Sequence, residues 1–118
     1  IGIFNLSCEK CEDEPDEYYV KYEVDGSSSE PFNVTINSDG NEDLIFNLNG
    51  LGDTPWERII GPVQKSFNAT MEVSCEYDRN YFNPRIYVSK NNSPFALKKS
   101  DESNEDRQYV QISYTIDY

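Results

Sequence analysis

The sequence predicts an all-β fold, an antiparallel β-sandwich of seven to eight strands, and three observations carry that reading. The first is a period-two alternation of apolar and polar residues, longest over 67–77, FNATMEVSCEY. There Phe67, Ala69, Met71, Val73, Cys75 and Tyr77 share one face, and Asn68, Thr70, Glu72, Ser74 and Glu76 share the other. Such a segment is a strand with one dry and one wet side. The second is punctuation by turn residues at intervals of about ten residues, the rhythm of short sandwich strands. The third is that apolar residues nowhere recur at helical spacing over a helix's length. Parallel strands need crossover helices, so the sheets are expected to be antiparallel.

Composition narrows the class. A chain of 118 residues makes one domain, long enough for a single core without staples. Nine Tyr and six Phe among abundant Val, Ile and Thr favour sheet and argue against disorder in the body of the chain. The net charge is −12, with ten Lys and Arg scattered along the sequence. Neither nucleic acid nor an anionic lipid surface finds the basic footprint it needs. There is no His, which removes the usual general base and the commonest metal ligand together.

In chain order, the first eight residues, IGIFNLSC, read as a signal-peptide remnant. A short apolar run ending in small residues and a Cys resembles the end of a bacterial lipoprotein signal peptide. By that resemblance Leu6-Ser7-Cys8 is the tail of the lipobox and Cys8 the lipidated anchor. The other reading is an ordered first strand with Cys8 as an ordinary thiol. Residues 9–17, EKCEDEPDE, hold six acids against one Lys, so like-charge repulsion keeps them extended as a tether. The run also resembles the acidic stretches of surface-exported lipoproteins of the Bacteroidetes. A calcium site is the second reading of these carboxylates.

The sandwich domain is expected over 18–118. Tyr18, Val20, Tyr22 and Val24 face inward on the first strand, with Tyr19, Lys21, Glu23 and Asp25 outward. Gly26 and three serines turn the chain, and Phe32, Val34 and Ile36 line the second strand. Asp39-Gly40 marks a hairpin, returning through Leu44, Phe46 and Leu48. Segment 55–62 is bracketed by prolines and should be short and peripheral, with Trp56 capping one end of the core. The 67–77 strand is taken as the central layer. Residues 78–84 read as a polar loop exposing Tyr81 and Phe82, 85–89 and 95–97 as strands, 98–106 as a mixed-charge loop, and 110–116 as the closing strand.

The segments YYVKYEVDG (18–26), 32–36, Pro55-Trp56, 67–75, RIYVSK (85–90) and VQISYTI (110–116) together resemble the MmpS-like sandwich domains of small lipoproteins of Bacteroides and relatives. The resemblance covers about residues 18–118. It implies a secreted or membrane-tethered immunoglobulin-like sandwich and brings no catalytic residues with it. The transmembrane helix of mycobacterial members is missing from this sequence, so their partnership with exporters is not carried over.

Few residues suggest chemistry. Cys75 lies on the dry face, where a thiol is a small hydrophobe, and without His it has no base to activate it. Cys11 and Cys75 are both expected to be free, since one sits in a tether and the other points into the core. A calcium loop over 37–48 fails, because its sixth and twelfth places hold Glu42 and Leu48. Asn5, Asn33, Asn68 and Asn91 each begin an Asn-x-Ser/Thr triplet, and Asn33 and Asn68 face outward.

The expectation is a non-enzymatic, monomeric, lipid-anchored binding or accessory protein of the outer membrane or cell surface. It needs no cofactor or metal and touches the membrane only through its anchor. Its ligand is an unknown protein or glycan, with Tyr19, Tyr81 and Phe82 as the contacts, since amphipathic aromatics suit both. The alternatives are an adhesin or pilus-like subunit assembling by strand addition, a eukaryotic secreted glycoprotein, or a hydrolase built on carboxylates.

Overall fold

A strand whose alternate residues are all apolar can bury one face only, so it needs a second layer. In the computed structural model of the chain, residues 15–40 and 42–118 are described. Cys8, Cys11, Asn5 and the rest of 1–14 lie outside them, and with them the anchor, the remnant and most of the tether.

Eight strands follow in order: β1 (Tyr18–Ser27), β2 (Phe32–Asn37), β3 (Asp43–Leu48), β4 (Trp56–Val63), β5 (Asn68–Ser74), β6 (Tyr81–Lys90), β7 (Ala96–Ser100) and β8 (Tyr109–Thr115). They form two four-stranded sheets, ordered β4-β1-β6-β7 (sheet I) and β3-β2-β5-β8 (sheet II). Every pairing between these strands is antiparallel, and the two layers make a β-sandwich. β1 and β2 lie in opposite sheets, whereas the first two strands of a constant-type immunoglobulin domain are sheet neighbours.

The core is the sum of the inward rows. Tyr18, Val20, Tyr22 and Val24 of β1, with Ile86 and Val88 of β6, meet Val34 and Ile36 of β2 and Met71 and Val73 of β5. Trp56 packs its ring on Phe46, 5.2 Å between centroids, so the two sheets are bridged along the β3–β4 side. β4 is an edge strand with Pro62 inside it, as its prolines require.

Two hairpins follow from turn chemistry. Ser38 N–H donates to the Glu42 carbonyl at 2.9 Å around Asp39-Gly40. Asn91 and Asn92 take φ of 52° and 66° between β6 and β7, the left-handed pair of a tight hairpin, which Asn tolerates best after Gly.

Several boundaries differ from the sequence reading; β7, for one, runs on to Ser100 through residues read as loop. The alternation over 67–77 stops as a strand at Ser74; Cys75 is still buried, but Tyr77 is 45% exposed. β1 does not turn at Gly26 but runs to Ser27, and β6 starts at Tyr81 rather than Arg85. Gly26 faces Phe82 across the ladder at φ 134°, and a Cβ there would sit 2.2 Å from the Tyr81 carbonyl oxygen. Only glycine lets the two backbones approach so closely. Pro84 fits inside β6 because its carbonyl accepts from Asp101 N–H at 3.3 Å. Its missing donor therefore faces the side on which β7 has already ended, and no ladder bond is lost.

Gly26→Ala is expected to cost more than about 2 kcal/mol, since it adds both backbone strain and a clash with main chain. Gly52, with nothing within 4 Å of its added Cβ, is the control: Gly52→Ala should stay within about 0.5 kcal/mol. Urea unfolding midpoints measure both.

Candidate functional site

With the inward rows of β1 and β6 buried, parity sends their alternate residues to the outer face of sheet I. Register then assembles these residues into rows. Ile59 of β4 pairs with Lys21 of β1, Lys21 with Tyr87 of β6, and Tyr87 with Leu97 of β7. One line of four side chains thus crosses the whole sheet. Its two ends are aliphatic and open to solvent, Ile59 at 51% and Leu97 at 52%. In its middle the Lys21 ammonium lies 4.5 Å from the Tyr87 ring centre and 5.3 Å from that of Phe95, a cation–π contact.

The row on one side is aromatic and polar. Tyr19 pairs with Ser89, and its ring lies over Gly61, where a Cβ would come within 2.7 Å of Tyr19 Cδ2. Tyr19, Ile59, Ser89, Asn92, Ser93 and Phe95 line a shallow cleft of about 310 Å³.

The row on the other side is charged: Glu57, Glu23, Arg85 and Ser100. The Arg85 guanidinium donates to Glu102 through Nε at 2.8 Å and Nη2 at 2.9 Å, and to Glu23 through Nη1 at 2.9 Å. Asp25 completes the cluster at 3.5 Å. The Tyr87 hydroxyl donates to the same Glu23 oxygen at 2.8 Å, so the charged row also orients the ring in the apolar one. Hydrogen bonding to Glu102 pushes the Arg85 pKa up, and that same bond holds Glu102 below the usual carboxylate range. Burial, then the bond to Glu23, pushes the Tyr87 phenol up.

On the outer face of sheet II the rows run Ile45–Thr35–Glu72–Gln111 and Asn47–Asn33–Ser74–Tyr109. Short polar side chains alternate there with Glu72, Gln111 and the exposed Ile45 and Tyr109. Asn33 and Asn68, each opening a glycosylation triplet, are exposed there.

Of the three aromatics read as contacts, Tyr19 alone belongs to this surface. Phe82 is a correction: it is fully buried and its ring packs on Phe32 at 4.9 Å, so it serves the core. Tyr81 is half-buried opposite Ser27, eight residues along β6 from Tyr19's partner Ser89 and so roughly 26 Å away. The residues that sequence reasoning missed are Ile59, Tyr87, Phe95 and Leu97. Ile59, Tyr87 and Leu97 sit in strands whose pattern is visible, and Phe95 directly precedes β7, but only the pairing of the strands shows that they meet.

Elsewhere, Cys75 is a buried free thiol donating to the Pro31 carbonyl at 3.3 Å, with Asn80 Nδ2 donating to its sulfur at 3.2 Å. Asp16 and Glu17, read as part of the loose tether, are fastened to the β6–β7 turn. Asn91 Nδ2 donates to Asp16 at 2.8 Å, and Glu17 N–H to Asn91 Oδ1 at 2.9 Å. A cleft of about 450 Å³ beside them is rimmed by Asp16, Glu17, Asp39 and Lys65. Among the described residues no three of His, Cys, Asp or Glu are grouped to hold a metal ion.

The fold defines a class, a two-layer antiparallel β-sandwich. No protein-family model matches the chain, and no curated protein matches it either.

The Arg85–Glu102 pair makes a pH prediction. Glu102's pKa is lowered on folding, so its stabilisation is present above the unfolded value near ~4.3 and lost as pH falls through the lower folded value. Glu102 is about half exposed, so Glu102→Gln should cost at most about 1 kcal/mol at pH ~7. The difference from wild type should shrink as pH falls below the unfolded value and vanish once Glu102 is protonated in both states, measured by urea unfolding at each pH.

Proposed function

We propose that the chain is a non-enzymatic, lipid-anchored binding or accessory module of a bacterial envelope, held by Cys8 on the outer membrane or cell surface, that engages a protein through the outer face of sheet I. The observation that carries this is the Ile59–Lys21–Tyr87–Leu97 row, aliphatic at both exposed ends and pinned in the middle by Lys21. A protein suits this face better than a glycan. Sugars stack on bare aromatic faces, whereas Lys21 covers the Tyr87 ring and the most exposed apolar groups are Ile and Leu. Apolar anchors beside a charged rim resemble the centre and border of a protein interface. The non-enzymatic reading rests on the absence of His from the sequence and on the shallowness of the cleft beside Tyr19. The lipoprotein reading rests on the Leu6-Ser7-Cys8 sequence, and placement with MmpS-like lipoproteins rests on the rhythm of the strands from YYVKYEVDG to VQISYTI.

A photo-crosslinking residue at Leu97 on intact cells is expected to capture one protein, with Ile59→Asp lowering the yield about tenfold, as for loss of an interface anchor. Glycan-array binding abolished by Tyr19→Ala, with no protein cross-link, would instead assign the face to a sugar. Mass spectrometry of the membrane fraction is expected to show a diacylglyceryl group on Cys8 and residues 1–7 removed. Hexose on Asn33 or Asn68 would instead make the chain a secreted glycoprotein.

A further inference from the structure

An open sheet has two edges, and each presents unpaired backbone donors and acceptors that invite another strand. The four edges of this sandwich are β4, β7, β3 and β8, and they are not equally protected. β4 carries Glu57, Arg58 and Pro62; β7 carries Lys98 and Lys99; β3 begins at Asp43. Charge and proline are the usual guards against edge pairing. β8, YVQISYT, has neither.

The direction of the free groups on β8 is fixed by its ends. Ile116 N–H donates to the Phe67 carbonyl at 3.0 Å, the Ile116 carbonyl accepts from Ser66 N–H at 2.8 Å, and the Gln108 carbonyl accepts from Cys75 N–H at 2.8 Å. Even-numbered residues therefore bond toward β5. By alternation Tyr109, Gln111, Ser113 and Thr115 aim N–H and C=O away from it, where no strand among the described residues pairs with them.

We propose that β8 is a self-association edge, pairing antiparallel with β8 of a second copy of this chain about a two-fold axis at Ile112. In that register Tyr109 faces Thr115 and Gln111 faces Ser113 of the other copy, each pair exchanging two backbone hydrogen bonds. The ladder is uncharged along its length. In a chain of net charge −12, where two copies repel at most approaches, this neutral edge is where a second copy fits best. Pairing joins the two four-stranded sheets into one continuous sheet. Because β8 is used by both copies, the contact closes at a dimer and does not propagate into a fibre. The inference departs from the monomer expected from sequence and is independent of the face proposed above, which lies on the other sheet.

Sedimentation equilibrium on the full 118-residue chain tests it. The mass is expected to rise from 13.6 kDa toward twice that value between micromolar and near-millimolar protein. Gln111→Glu with Ser113→Glu puts like charges opposite each other and should weaken association by about tenfold or more. Ser113→Pro removes an outward donor that β5 does not use and should do the same; where it fails to fold, by circular dichroism, the double glutamate variant carries the test. A wild type that stays monomeric throughout overturns the proposal. So does association unchanged in both variants, and so does growth beyond the dimer.

Discussion

The parity of β1 is the constraint on which core and surface both depend. Its inward row, Tyr18, Val20, Tyr22 and Val24, has no solvent exposure at all, and that burial alone puts Tyr19, Lys21, Glu23 and Asp25 outside. Tyr22 fixes the phase most firmly. Its hydroxyl crosses the core and donates to Asn37 Oδ1 at 2.8 Å. Asn37 in turn accepts from Thr70 N–H at 2.8 Å and donates to the Asn68 carbonyl at 2.6 Å. One phenol thus ties sheet I to two strands of sheet II, and burial pushes its pKa up. A slip of one residue would turn Lys21 and Glu23 into the core and strand the phenol outside. No such alternative competes, because a buried polar group without partners costs about 1–3 kcal/mol.

Strand existence was legible because period two is a local property. The inward residues of β1, β2, β5 and β8 follow directly from alternation, and the Asp39-Gly40 hairpin from turn chemistry. Phe82 shows where local reading ends. Asn83 and Pro84 are loop formers by composition, yet they lie inside β6 because Gly26 accepts a close backbone and Asp101 takes the Pro84 carbonyl. Asn80 is buried, donating to Cys75 and to the Tyr77 carbonyl while accepting from Ser28. These compensations come from residues far away in sequence, and no local pattern announces them.

The surface was legible only one residue at a time. That Tyr19 and Lys21 point outward follows from β1 alone. That Ile59, Lys21, Tyr87 and Leu97 form a row requires knowing that β1 lies between β4 and β6 and that β7 lies beyond. Strand order is set by non-local pairing, and a sequence of short strands permits many orders. The charged row has the same origin. Arg85 gathers Glu23 and Asp25 of β1 and Glu102 of the segment after β7, and it lowers their mutual repulsion. In a chain so acidic, one guanidinium facing three carboxylates is a structural need as well as a surface feature, and it holds Tyr87 at the angle that receives Lys21.

Geometry also links the two proposed surfaces to the proposed attachment at Cys8. The first described residues are pinned to the β6–β7 turn by Asn91 and by the Asp16–Lys90 pair at 3.6 Å. The chain therefore enters the sandwich at the end that holds Asp39, Lys65 and the 91–93 turn. Strands run away from that end, so the outer face of sheet I and the free edge of β8 both lie along the flanks. A tether attached at Cys8 would stand the strands off the membrane with both flanks open sideways. Lateral contact between neighbours in one membrane is then the geometry that demands least of either surface. Under the proposed attachment at Cys8, confinement to a plane would raise the effective concentration of a second copy, and an edge of modest strength in solution would become effective there.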